Sequence, residues 1–375
     1  MSTERVHFPP ASPFHSDLKS RVEAYFAHRR QEGGWHMRVK TAVMLSWVAG
    51  TWAVAMFAPV SGAVAASLAV SIGLAMAGVG FCVMHDANHG SYSRRRGVNR
   101  VLSFTLDLLG ASSHLWRQKH NILHHTYTNI EGLDDDIEAG TPYLRFAPWQ
   151  RRMFFHRFQH LYVFLLYGFF PLKWFFLDDF RGFVTGRIGT QSFPPPRGKA
   201  LLTALLGKAG FFAWAFVIPA VLHPTWWLIP LWLLASFTLG NVLGWVFQLA
   251  HCLEGAEFVE AEPGEIMSED WAAHQVRTTV DFARGNRLLS WYLGGLNFQV
   301  EHHLFPRVCH VHYPALSHIV EQTCADHQVR YRTEPTLRKA LAANCRWLRE
   351  MGRPVASALH ELERPAQQAH ADLSP

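Results

Sequence analysis

The stretch TAVMLSWVAGTWAVAMFAPVSGAVAASLAVSIGLAMAGVGFCVM, Thr41 to Met84, runs for 44 residues without one Asp, Glu, Lys or Arg. One crossing of bilayer hydrocarbon takes about 20 apolar residues, so this length predicts two crossings with a turn between them. Pro59-Val60-Ser61-Gly62 supplies the turn, because Pro and Gly interrupt a helix most strongly. Ala209 to Leu253 repeats the pattern over 45 uncharged residues, broken at His223-Pro224-Thr225. The apolar residues lie in blocks rather than at the period of a soluble helix or strand. The expected fold is therefore an all-α membrane protein with four transmembrane helices, not the two soluble domains that 375 residues would otherwise allow.

Charge orients these spans. Neither turn carries Lys or Arg while the flanking segments carry many, which puts the turns outside and both termini and the middle segment in the cytosol. The net charge of +6 and pI of about 9.2 would suit a nucleic-acid partner. The basic residues, however, gather beside the spans, as in Arg94-Arg95-Arg96 and Arg151-Arg152, where membrane orientation accounts for them; no nucleic acid is expected. The apolar, aromatic run from Leu161 to Leu177 contains Pro171 and Lys173 and ends at Asp178-Asp179, which suits a helix lying in the interface rather than a fifth span. About forty residues precede the first span, so it is not a cleaved signal. Five cysteines without a CxxC pair suit reduced thiols. The resulting division is a cytosolic N-terminal segment 1–40, a membrane domain 41–322 and a cytosolic helical tail 323–375.

Three histidine clusters border these spans: His85-Asp86-Ala87-Asn88-His89, His120-Asn121-Ile122-Leu123-His124-His125, and Gln299-Val300-Glu301-His302-His303. His85 and His89 are spaced i, i+4, which on a helix puts both rings on one face, and His120 and His124 repeat the spacing. His125 is turned by about 100° from its neighbour and is expected to face a second ion. Imidazoles in this number suit iron, zinc or copper, while calcium and magnesium prefer oxygen. A closed zinc site uses four ligands, and seven clustered histidines plus His251 fit two redox metals better. A metalloprotease HExxH reading of the first cluster meets Asp86 in place of Glu and leaves the other clusters without a role. A histidine-rich metal transporter would need ligands deep within the spans, whereas these lie at the inner ends. A metal centre at the edge of a membrane domain points to oxidation of a lipid.

At these residues the chain resembles the membrane fatty acid desaturase family, in particular its front-end and acyl-CoA-type branch. The likeness runs from His85 to Pro314 and rests on His85 to Gly90, His120 to Asn129, and Gly294 to Pro306 in that order. It implies four spans, interfacial helices and a cytosolic helical cap holding two irons. It also implies that molecular oxygen and two electrons remove two hydrogens from an acyl chain carried on CoA or a lipid. The metal ligands implied are His85, His89, His120, His124, His125, His251, His302 and His303. Gln299, which stands where many members have a histidine, is a ligand or lies just behind the ligands, as do Asp86, Glu301 and His274. His310 and His312 are structural or support the ligands from behind. Trp116 and Trp291 are expected along the acyl tunnel. No His-Pro-Gly-Gly haem motif, flavin or nicotinamide fingerprint occurs, so electrons are expected from a separate ferredoxin or b-type cytochrome with its reductase. A hydroxylase on the same scaffold is the alternative activity.

Overall fold

A computed structural model describes residues 5–354, and the remainder of the expected C-terminal tail lies outside the described residues. Helices dominate: α1 (Pro13–Phe26), α2 (Gly34–Phe57), α3 (Gly62–His89) and α4 (Arg96–Leu108) lead into a helical segment, α5, at 113–127. Then come α6 (Phe154–Thr185), α7 (Lys199–Leu222), α8 (Leu228–His251), α9 (Trp271–Thr278), α10 (Gln299–Leu304), α11 (Tyr313–Asp326) and α12 (Leu337–Met351). The only sheets among the described residues are two short strand pairs, Arg187–Ile188 with Gln191–Ser192 and Asp281–Phe282 with Thr333–Glu334.

Both turns fall where Pro and Gly were placed: α2 ends at Phe57 and Ser61 caps α3, while α7 ends at Leu222 before His223. Five helices, however, not four, are long and apolar enough to cross a membrane: α2, α3, α6, α7 and α8. The additional one, α6, contains the 161–177 run. Its helix continues through Pro171 and then passes through a π-turn, Trp174–Asp178.

Small residues let these helices approach closely. A Cβ on Gly240 of α8 would collide with the Tyr167 carbonyl of α6, and one on Gly73 of α3 would sit 2.5 Å from the Ala235 carbonyl of α8. Where α6 and α7 meet the turn before α5, Lys208 pairs with Asp179 at 2.7 Å, and the same carboxylate oxygen accepts from the Ser112 amide at 2.7 Å. A buried charge pair is held only when its remaining polar atoms are satisfied, so this contact fixes the entry of α5. On the other side, α1 packs Phe14, Leu18 and Val22 against Leu316 and Val320 of α11 and Val300 of α10. The helix that carries the third histidine cluster is thereby buried beneath α1 and α11.

Candidate metal centre

The histidines are brought together by local departures from α-helical geometry. The 117–124 stretch of α5 is a π-helix, in which the His125 amide donates to the His120 carbonyl. A π-turn aligns residues five apart, so His120 pairs with His125, Nε2 to Nε2 at 3.3 Å, and His124 rather than His125 turns toward a separate group. The expected i, i+4 alignment of His120 with His124 persists beside this contact, their rings stacked at 5.2 Å. α3 likewise passes through a π-turn, Gly80–Met84, before His85 and His89, whose rings lie 4.7 Å apart.

Two groups result. His85, His89, His120 and His302 offer ring nitrogens within 4.8 Å of one another, and His124, His251 and His303 form a second set by the same measure. His125 joins His302 and His303 and so lies between the two. All eight come from four separate elements, with rings of His85 and His302 at 4.5 Å and of His124 and His251 at 4.7 Å. His85, His89, His124, His125, His251, His302 and His303 each keep a buried ring nitrogen without a hydrogen-bond partner. Leaving that many polar atoms buried and unpaired costs several kcal/mol unless something occupies the space between them. A pair of nitrogen-preferring transition metals fits this donor set. Burial and neighbouring imidazoles also hold His120, His125, His302 and His303 well below the ordinary histidine pKa, in the neutral form that binds metal.

The far nitrogens of several rings are held from behind. Asp134 accepts from His124 Nδ1 at 3.0 Å, and its charge raises the pKa of that ring against the effect of burial. Gln275 Oε1 accepts from His303 Nδ1 at 2.8 Å, and the Tyr313 hydroxyl lies 3.3 Å from His302 Nδ1. Such partners fix the tautomer so that Nε2 faces inward. Asp86 accepts from His310 Nδ1 at 2.9 Å, lies 3.8 Å from His85 Nδ1, and is steadied through Lys40, 2.8 Å from His310 Nε2. His312 packs away from the histidine groups, on Tyr25 and Phe26. Gln299 Nε2 lies 2.9 Å from His251 Nε2, at the edge of the second set.

Asp134, Gln275, Tyr313 and Lys40 were not legible as site residues, although Asp134 opens an acidic run ten residues after His124. Other expected residues sit elsewhere. His274 Nε2 bonds the Thr128 carbonyl at 2.9 Å, while the next residue of α9, Gln275, stands behind His303. Glu301 faces Tyr331 and Asp281; burial, then repulsion from Asp281, raises its pKa well above the ordinary carboxylate value. Trp291 lies outside the cavity lining, 41% exposed, with Lys40 Nζ 5.2 Å from its ring centre.

Trp116 stacks on His120 at 4.3 Å and lines a cavity of about 920 Å³. The cavity passes His85, His120 and Gln299 between walls that include Met76, Leu106, Leu239 and Leu243. An apolar space of this size beside a few convergent polar groups is the form of a ligand site.

Residues 61–335 match the model of the fatty acid desaturase family. The chain belongs to that family. It is 39% identical over 361 residues to an sn-1 linoleoyl-lipid 6-desaturase of Synechocystis sp., covering 94% of this chain and 99% of that protein. An acyl-lipid (8-3)-desaturase of Physcomitrium patens is 38% identical over 90% of this chain and 72% of its own. A Delta(5) fatty acid desaturase A of Dictyostelium discoideum is 31% identical over 94% of this chain and 77% of its own. This desaturase is accordingly an oxidoreductase of lipid metabolism, and its histidine groups are compatible with a metal site.

Proposed function

We propose that this desaturase introduces a cis double bond into a lipid-linked acyl chain, with two irons held by the eight histidines. The observation that carries this reading is a set of buried, unpartnered imidazole nitrogens opening onto an apolar cavity. His85, His89, His120 and His302 would hold one iron and His124, His251 and His303 the other, with His125 between them. When bound, the irons and molecular oxygen supply the oxidising power that an unactivated methylene requires, and a separate ferredoxin or b-type cytochrome supplies electrons. The chain's own work is positional. Asp134, Gln275 and Tyr313 hold ligand rings in one tautomer, Asp86, itself held by His310, lies beside His85, and the apolar walls exclude water while aligning the acyl chain past Trp116. The names of the relatives favour a lipid over CoA as the acyl carrier. Expression in a host of known lipid composition tests the activity: new cis double bonds in glycerolipid acyl chains are expected. Hydroxylated chains instead, from iron-loaded protein, would replace desaturation by the alternative activity.

In the membrane, α2, α3, α7 and α8 would cross and α6 would enter and return on the cytosolic side, where both termini and the capped centre lie. The reading is supported by parity, since His124 before α6 and His251 at the end of α8 are neighbours, so an even number of crossings separates them. It is also supported by the ends of the segment: Gln159 donates to the Arg145 carbonyl and Thr190 to the Gly132 carbonyl, both within one short stretch. Cysteines at the exposed positions Arg157 and Thr190, in a cysteine-free chain, should both be labelled from the cytosolic face, and one at Thr225 from the opposite face. Labelling of Arg157→Cys and Thr190→Cys from opposite sides would show that α6 spans.

A further inference from the structure

The outer end of the cavity carries four cations and four carboxylates, and they are not evenly matched. Lys119 contacts Asp135 and Asp136 at 3.0 and 2.9 Å, Lys173 contacts Asp178 at 2.8 Å, and Asp179 is taken by Lys208 from behind. Arg181 and Arg187 also line this end, both are exposed, and neither guanidinium has an acidic partner among the described residues. Arg181 is set in an apolar surface: Leu177, Phe180 and Val184 on the same helix are 64%, 39% and 86% exposed. A surface of that kind meets lipid, and an arginine within it extends its charged head to the level of the head groups.

We infer that Arg181 and Arg187 bind the phosphate of a glycerophospholipid whose acyl chain occupies the cavity, so that the acyl carrier is an anionic phospholipid. The inference rests on the desaturase reading of that cavity. A guanidinium presents paired donors that match phosphate oxygens, and two free ones at one mouth give a neutral sugar head group no equivalent partner. A phospholipid also reaches this mouth from within its own leaflet, across the apolar rim, whereas acyl-CoA arrives from water. Anchoring the head group here would set how far along the chain the methylenes beside His85 and His120 lie.

The test is retention of lipid by purified full-length protein, read by native mass spectrometry without turnover. Phosphatidylglycerol, monogalactosyl diacylglycerol with the same acyl chains, and acyl-CoA are offered in turn. Wild type is expected to retain phosphatidylglycerol preferentially, and Arg181→Gln and Arg187→Gln each to weaken that retention roughly ten-fold, the loss expected for one charge-assisted contact. Arg187→Lys should recover part of it, which separates a charge effect from damage to the fold. Equal retention of the galactolipid, or unchanged retention in both glutamine variants, would overturn the proposal. Arginine-dependent retention of acyl-CoA in place of phosphatidylglycerol would overturn the choice of carrier. Because binding is read directly, arginine-dependent phosphatidylglycerol retention without any new double bonds would uphold the subsite and count against the desaturase reading alone.

Discussion

Alanine at His303 or at His89 is expected to lower double-bond formation by roughly a hundred-fold or more while the protein still inserts into membranes. Loss of a partner behind a metal ligand already costs about 10–100-fold, and removal of the ligand itself costs at least that. His303 is fully buried, is braced by Gln275, and offers its unpartnered Nε2 to the second group, so no neighbouring nitrogen replaces it. His89 has the same standing in the first group. His327→Ala is the control: its ring bonds Asp17 on the surface, away from both histidine groups, and such exposed pairs contribute little. Acyl-chain analysis of membranes from matched expression levels reads the outcome. Near-normal product from either cluster variant would remove that histidine from the centre.

Phenylalanine at Gly80 should abolish conversion of long acyl chains and leave metal content unchanged. Gly80 lines the cavity one turn before His85, and a Cβ there would meet nothing nearer than Leu243 Cδ2 at 3.9 Å, so the new ring enters open space instead of packed core. A ring in the tunnel competes directly with the acyl chain, while the histidines of α5, α8 and α10 keep their places and His85 and His89 stay held by the unchanged backbone of α3. Gas chromatography of products from long and short acyl substrates, with iron assayed in parallel, separates the two effects. Unaltered chain-length range would mean that the acyl chain does not pass Gly80.

How much of this was legible in the sequence differs by element. The long uncharged stretches and their Pro and Gly breakers located α2, α3, α7 and α8, because bilayer thickness sets a length that composition alone can meet. α6 was read too short: the sequence suggested an interfacial helix over the apolar run 161–177, whereas the helix extends over Phe154–Thr185, with Lys173 paired to Asp178. The histidines themselves were legible because they are clustered and border the long apolar stretches. Their sorting into two groups was not, since the π-helix also sets His120 beside His125 five residues on, and the remaining partners come from α8 and α10. The groups behind them were hidden for a different reason: Gln275, Tyr313 and Lys40 come from distant parts of the chain, and only the tertiary fold sets them against His303, His302 and His310. Arg94 to Arg96 show the same limit from the other side, for they stand out in sequence while Arg94 forms an ion pair with Glu32, just before α2.

The measurement that bears most directly on the centre is elemental analysis of protein purified from iron-replete cells. About two irons per chain are expected, falling to about one or fewer in His303→Ala, because the donor set exceeds what one ion can use. Stoichiometric zinc with no iron, reproduced after purification from zinc-depleted, iron-replete cells, would contradict a two-iron centre.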